Sequence, residues 1–116
     1  MRLRNLPEGP AAPLAGLVTC REGQVSSMSL VAGGLDLGLS ATLFAFAAEE
    51  SVSEERYDGD TLYLCVEGAM ALAWPDGRRS PLAAGDVIRV PAGVGHAVEG
   101  EGEPFKMLQV TVPADR

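Results

Sequence analysis

The chain has 116 residues, 47% of them hydrophobic and 22% charged, enough for one packed core and too few for two ordinary domains. Nine lysines and arginines against 16 aspartates and glutamates give a formal net charge of −7, the wrong sign for phosphate backbones or anionic headgroups, so neither nucleic acid nor a membrane surface is expected as a partner. No apolar run, Leu43 to Ala48 among the longest, approaches the roughly 20 residues that span a bilayer.

At the N-terminus, Met1-Arg2-Leu3-Arg4-Asn5-Leu6-Pro7 carries charge, but Glu8, Gly9 and prolines interrupt it before the apolar core of a signal peptide could form, so a cytoplasmic protein is expected. Three prolines between Pro7 and Pro13 remove backbone donors, which makes residues 1–20 an arm and leaves 26–112 for the core of a single domain. Ser26 to Ala32 and Ser40 to Ala47 are rich in strand-compatible residues and are separated by Gly33-Gly34 and Gly38. Thr61 to Glu67 and Ala69 to Trp74 follow, the second with Met70, Leu72 and Trp74 on one face and Ala71 and Ala73 on the other. Met70 and Trp74 at alternating positions suit a core wall better than a stacking site. Pro75-Asp76-Gly77 should close a hairpin onto Arg79 to Leu82, with Arg78-Arg79 as a solvated basic tip. Ala83 to Asp86 is the next turn, strands are predicted at Val87 to Val90, Gly95 to Glu99 and Phe105 to Val112, and Gly100 to Glu103 is the last hairpin. Strands this short with turns this regular predict an all-β sandwich or barrel. Cys20 and Cys65 lack CxxC spacing, and Cys65 sits in an apolar run, so a buried reduced thiol is expected rather than a disulfide or metal ligand.

The segment Gly85-Asp86-Val87-Ile88-Arg89-Val90-Pro91-Ala92-Gly93-Val94-Gly95-His96 resembles the second conserved motif of the cupin superfamily: a turn glycine, a strand, a Pro-x-Gly corner and a histidine. With its flanking strands the likeness covers residues 40 to 112 and implies a double-stranded β-helix, a jelly-roll-like barrel, with His96 pointing inward as a metal ligand. Function is set by the site rather than by the scaffold. Gly68, closing Leu64-Cys65-Val66-Glu67-Gly68, fits the final glycine of the family's first motif. Counted back from it, the glutamate slot falls on Thr61, beside Asp60, and the two histidine slots fall on Glu55 and Tyr57, or on Glu54 and Arg56 with a longer loop. No histidine occupies either pair, and the chain contains one histidine, which rules out a multi-imidazole site within one subunit.

The candidate ligand-binding residues are therefore His96, Glu54, Glu55 and Tyr57. Strand alternation allows at most one of the two glutamates to face inward. Three chemistries fit them. The expected one is a metal-independent barrel that takes a small molecule against apolar walls with a few polar contacts, with no cofactor. A second has His96, Glu55 and Asp60 holding manganese, iron or zinc. A third is a metal-free isomerase or lyase with His96 as general base. Exposed edge strands, and the apolar surface of Leu14 to Cys20 and Ser26 to Ala32, lead to the expectation of a homodimer.

Overall fold

The computed structural model describes residues 1–115. Its strands are β1 (Arg2–Leu3), β2 (Val25–Ser29), β3 (Val31–Ala32), β4 (Ser40–Phe46), β5 (Val52–Glu55), β6 (Thr61–Glu67), β7 (Ala69–Ala73), β8 (Arg79–Ala83), β9 (Val87–Val90), β10 (His96–Gly100) and β11 (Phe105–Thr111). A five-stranded sheet runs β2-β4-β11-β6-β9 and a four-stranded sheet runs β5-β10-β7-β8, while β1 and β3 form a separate pair. Every pairing is antiparallel. Pro81 fits this arrangement because β8 is an edge strand, where a missing ladder donor is harmless.

Strand alternation turns one side of each strand into the barrel. In β6, Thr61, Tyr63 and Cys65 are buried, and their partners across the β11 ladder are Thr111, Gln109 and Met107. In β4 the same face carries Ser40, Thr42, Phe44 and Phe46, opposite Thr111, Gln109, Met107 and Phe105. The inward rows thus change character along the barrel. At one end Phe46 stacks on Phe105 with centroids 4.5 Å apart, amid Cys65, Met70 and Leu82. At the other end the inward positions are Ser40, Thr42, Gln109, Thr61 and Thr111, with the two threonine hydroxyls 2.9 Å apart. The apolar end makes the core and the polar end makes the mouth.

The outer face of the five-stranded sheet is covered in part by the arm. Leu43 and Ala45 point outward yet are fully buried, packed with Val18 and against Leu14, Leu17, Cys20, Val66 and Leu108. A short 3₁₀ turn over Leu14–Leu17 places these residues. The Lys106 ammonium donates to the Ala15 carbonyl at 2.7 Å and lies 3.3 Å from Glu67, fastening the arm to β11 and β6. Residues 14–20 therefore lie on the chain's own sheet.

Several predicted bounds move. Ser26 to Ala32 is not one strand: at Leu30, which is buried and donates its N–H to the Ala41 carbonyl at 2.8 Å, the chain leaves β4, and β3 pairs with β1 instead. Val52–Glu55 is a strand that the acidic sequence had masked. The expected basic tip is half true. Arg78 pairs locally with Asp76, but Arg79 bridges Glu99 at 2.5 Å and Glu101 at 2.7 Å on β10 and its following turn. Cys65 is buried as expected, whereas Cys20 is partly exposed.

The Pro-x-Gly corner behaves as the sequence suggested, with Gly93 at φ +79° and nothing within 4 Å of where a Cβ would stand. Backbone strain is then the whole cost of a side chain there. Gly93→Val is expected to cost about 1–2 kcal/mol, whereas Pro91→Ala should lose at most about 1 kcal/mol, mainly through greater freedom of the unfolded chain. Urea midpoints at equal slopes test the order, and equal midpoints for the two variants would contradict it.

Candidate functional site

The mouth is built by two loops tied to each other. The loop after β5 and the corner after β9 are joined by the Gly93 N–H donating to the Tyr57 carbonyl at 2.8 Å and by Arg56 Nη1 donating to the Gly93 carbonyl at 2.7 Å. Asp60 accepts from the Ala92 N–H with Oδ1 and from Arg89 Nε with Oδ2, each at 2.9 Å. These bonds hold Tyr57 over the barrel, and the β5–β10 register sets His96 opposite Glu55.

His96 is buried, with Nδ1 3.0 Å from the Val94 carbonyl and Nε2 2.7 Å from the Tyr63 hydroxyl. A carbonyl oxygen can only accept, so Nδ1 carries a proton, and in the neutral ring Nε2 is then the acceptor of the Tyr63 O–H. Burial, with a smaller contribution from the Glu55 carboxylate, pushes the Tyr63 phenol above its ordinary range, which keeps it protonated and donating. The Tyr63 ring meets the imidazole edge-on with centroids 5.4 Å apart, and Tyr57 and Trp74 flank it at 6.0 and 6.4 Å. The indole N–H of Trp74 is satisfied by Ser80 at 2.9 Å.

Above this pair lies a cavity of about 300 Å³, at the small end of the roughly 300–1,000 Å³ usual for ligand pockets. Phe44, Val52, Val98 and Met107 form its apolar walls, Tyr57 and Tyr63 its aromatic floor and side, and Ser40, Thr42 and Gln109 a polar strip. Among the described residues Glu55 is its one charged lining residue, and Leu35 stands at the rim. A larger concavity of about 540 Å³, lined by Cys20 to Gly23, Ala47 to Glu50 and Pro104, lies among surface loops away from the histidine.

Of the residues singled out in the sequence, Glu55 and Tyr57 line the cavity and His96 supports it from beneath, through Tyr63. Glu54 is exposed and lies 3.6 Å from Arg56, over Gly95; alternation sends it outward and Glu55 inward. Asp60 is a fastener of the corner. Tyr63, Thr42 and Gln109 were missed. Tyr63 could have been found by parity, since it lies between Thr61 and Cys65 on one face of a strand ending at Gly68.

This donor set does not suit a divalent ion. The one imidazole spends Nε2 on Tyr63 and Nδ1 on a carbonyl, while the carboxylate of Asp60 is committed to Arg89 and the Ala92 N–H. Among the described residues no three His, Cys, Asp or Glu side chains converge in a geometry that could hold a metal. The set of His96, Glu55 and Asp60 that the sequence suggested is therefore not assembled. Glu55 alone is left facing the cavity.

The bonds from Ala92 first, and from Arg89 second, hold the Asp60 carboxyl below the usual carboxylate range. A depressed folded value means that Asp60 supports the fold above the unfolded carboxylate range, near pH 4, and that this support disappears as pH falls through the folded value. Wild type should accordingly lose more stability than Asp60→Asn between pH 6 and strongly acid solution. Parallel denaturation curves for the two proteins across that window would refute the fastening role.

A family model described as a cupin domain matches residues 42–111. Among solved structures, the chain is similar to a cupin superfamily protein from Desulfitobacterium hafniense, with 44% identity over 99% of this chain and 100% of that one and a TM-score of 0.89. It is similar to a cupin 2 conserved barrel domain protein from Leptotrichia buccalis, at 34% identity over 85% of this chain and 46% of that one, TM-score 0.77. It also shares its fold with a conserved protein of unknown function from Streptococcus pyogenes, at 24% identity over 100% of this chain and 97% of that one, TM-score 0.87. No curated protein matches the chain. Among the described residues no helix is long and apolar enough to cross a membrane.

Proposed function

The chain belongs to the cupin superfamily, and from that premise we propose that it is a small-molecule-binding cupin whose site works without the multi-histidine metal centre. One observation carries this: the polar end of the barrel opens into a cavity of about 300 Å³ with apolar walls and a few unspent polar groups, the pattern expected of a ligand pocket. The hydroxyls of Ser40 and Thr42 and the amide of Gln109 have no hydrogen-bond partner among the described residues, so they are free to meet a ligand or water. A fragment screen followed by NMR tests the assignment. Binders should move the ring signals of Tyr57, Tyr63 and His96, and a set of binders that moves only signals at Cys20 to Gly23 would shift the site to the other concavity.

The Tyr63–His96 hydrogen bond favours a second possibility, metal-free acid–base chemistry. The phenol is the group that faces the cavity, and the imidazole behind it orients its proton. His96 as a general base would then act one residue removed from the substrate, with Tyr63 in between. Turnover of any bound compound in the absence of added metal, abolished by Tyr63→Phe while binding persists, would establish it.

A homodimer in the cytoplasm completes the proposal. The edge of β2, capped at Ser29 by the Asn5 side chain and otherwise open among the described residues, and the exposed side chains of Met1 and Leu3 give a second copy something to cover. Free thiols at Cys20 and Cys65 agree with a reducing compartment. Light scattering that returns the mass of a single chain at every concentration would rule the dimer out.

A further inference from the structure

The charge inside the mouth is unbalanced. Glu55 lines the cavity, and among the described residues no lysine, arginine or histidine lines it with it. Of the nearest arginines, Arg56 is engaged with Glu54 and the Gly93 carbonyl and Arg89 with Asp60, while Arg4 lines the adjoining concavity beyond Ser40 and Thr42 together with Asp36. The Glu55 carboxylate itself has no hydrogen bond or ion pair among the described residues. Its negative charge is the smaller of the two causes, after burial, that raise the Tyr63 phenol. Around it stand the rings of Phe44, Tyr57 and Tyr63, whose faces are electron-rich and attract cations. The remaining polar lining, Ser40, Thr42 and Gln109, is neutral, and the whole chain carries a formal charge of −7, which repels anions at long range.

We propose that the mouth cavity selects small organic cations, amines or quaternary ammonium compounds, with Glu55 as the specificity-determining residue. This rests on the cavity being a ligand site, as proposed above. The charged head sits between the Glu55 carboxylate and the ring of Tyr57, and the body of the ligand lies along Phe44, Val52 and Met107. Carboxylates and phosphates are rejected, because they would meet a like charge with no compensating cation among the described residues of the lining. The volume of about 300 Å³ is ample for a ligand the size of a substituted benzene ring.

Three probes with one body and three charges separate these effects: benzylamine, benzyl alcohol and benzoate, titrated at neutral pH while the Tyr57, Tyr63 and His96 ring signals are followed by NMR. In the wild type the amine should bind roughly tenfold more tightly than the alcohol, benzoate should be weakest, and added salt should narrow the gap between amine and alcohol. Glu55→Gln should bring the amine to the level of the alcohol. An alcohol that binds as well as the amine, or a preference that survives Glu55→Gln, would overturn the selectivity while leaving the cavity a ligand site. If no probe moves those rings in the folded protein, the cavity assignment itself fails and the selectivity with it. The wild-type comparison stands even if the variant does not fold.

Discussion

Gly68→Ala is expected to cost about 2–4 kcal/mol, the sum of left-handed backbone strain and overpacking. Gly68 turns the chain from β6 into β7 at φ +78°. A Cβ there would lie 2.5 Å from the Pro104 carbonyl oxygen and 3.1 Å from the Phe105 Cα. Neither is a side-chain tip that can swing aside. Phe105 is pinned by its stacking on Phe46 at the apolar end of the barrel, so relief of the clash must move the core. Gly77 and Gly102 provide the control, since both have positive φ, at +90° and +91°, with nothing within 4 Å of the added atom. Alanine at either should cost only about 1–2 kcal/mol, the backbone strain alone. Urea denaturation with a common slope measures the difference, and a Gly68→Ala midpoint equal to that of Gly77→Ala would show that the clash is relieved without cost.

The second large effect is expected at the buried phenol–imidazole pair. His96→Ala removes two hydrogen bonds, strands the Tyr63 O–H and the Val94 carbonyl, and opens a void, which together should cost about 2–5 kcal/mol. Tyr63→Phe removes one oxygen and leaves Nε2 without its donor, for about 1–3 kcal/mol. Because both changes break one shared bond, the double variant should be more stable than the sum of the two losses predicts, by about 1 kcal/mol. Strict additivity of the three variants would mean that the 2.7 Å contact carries no energy of its own.

Most of the architecture was legible because glycine and proline punctuate it. Gly77, Gly85, Gly93 and Gly102 all adopt positive φ at the turns where they were expected. Short strands with weak patterns were not legible. Val52–Glu55 is exposed at Ser53 and Glu54, so its alternation is carried by two residues only. β1 and β3 exist through each other, two residues apiece, with no periodic signal to find. At the site, Glu55, Tyr57 and His96 were reachable from motif spacing. Parity along Thr61, Tyr63 and Cys65 gives Tyr63 its inward face, but not its partner, because an aromatic residue in a strand reads as core. Its role depends on a partner 33 positions away, and such pairings follow from how strands are arranged in the barrel rather than from local spacing.

The place of β11 shapes how the molecule reaches this structure. Among the strands β11 is the last in sequence, yet it lies at the centre of its sheet, between β4 and β6. Residues 40–46 and 61–67 therefore wait for 105–111 before their ladders close. Ladders closed over such distances carry a large loop-entropy cost before any contact repays it, which puts folding on the millisecond-to-second scale of high-contact-order β proteins. During that interval β4, with Leu43, and β6, with Leu64, each keep one edge open even when paired with β2 and β9 on the other. Self-association competes with folding in this window, so refolding yield should depend on protein concentration more steeply than native stability does.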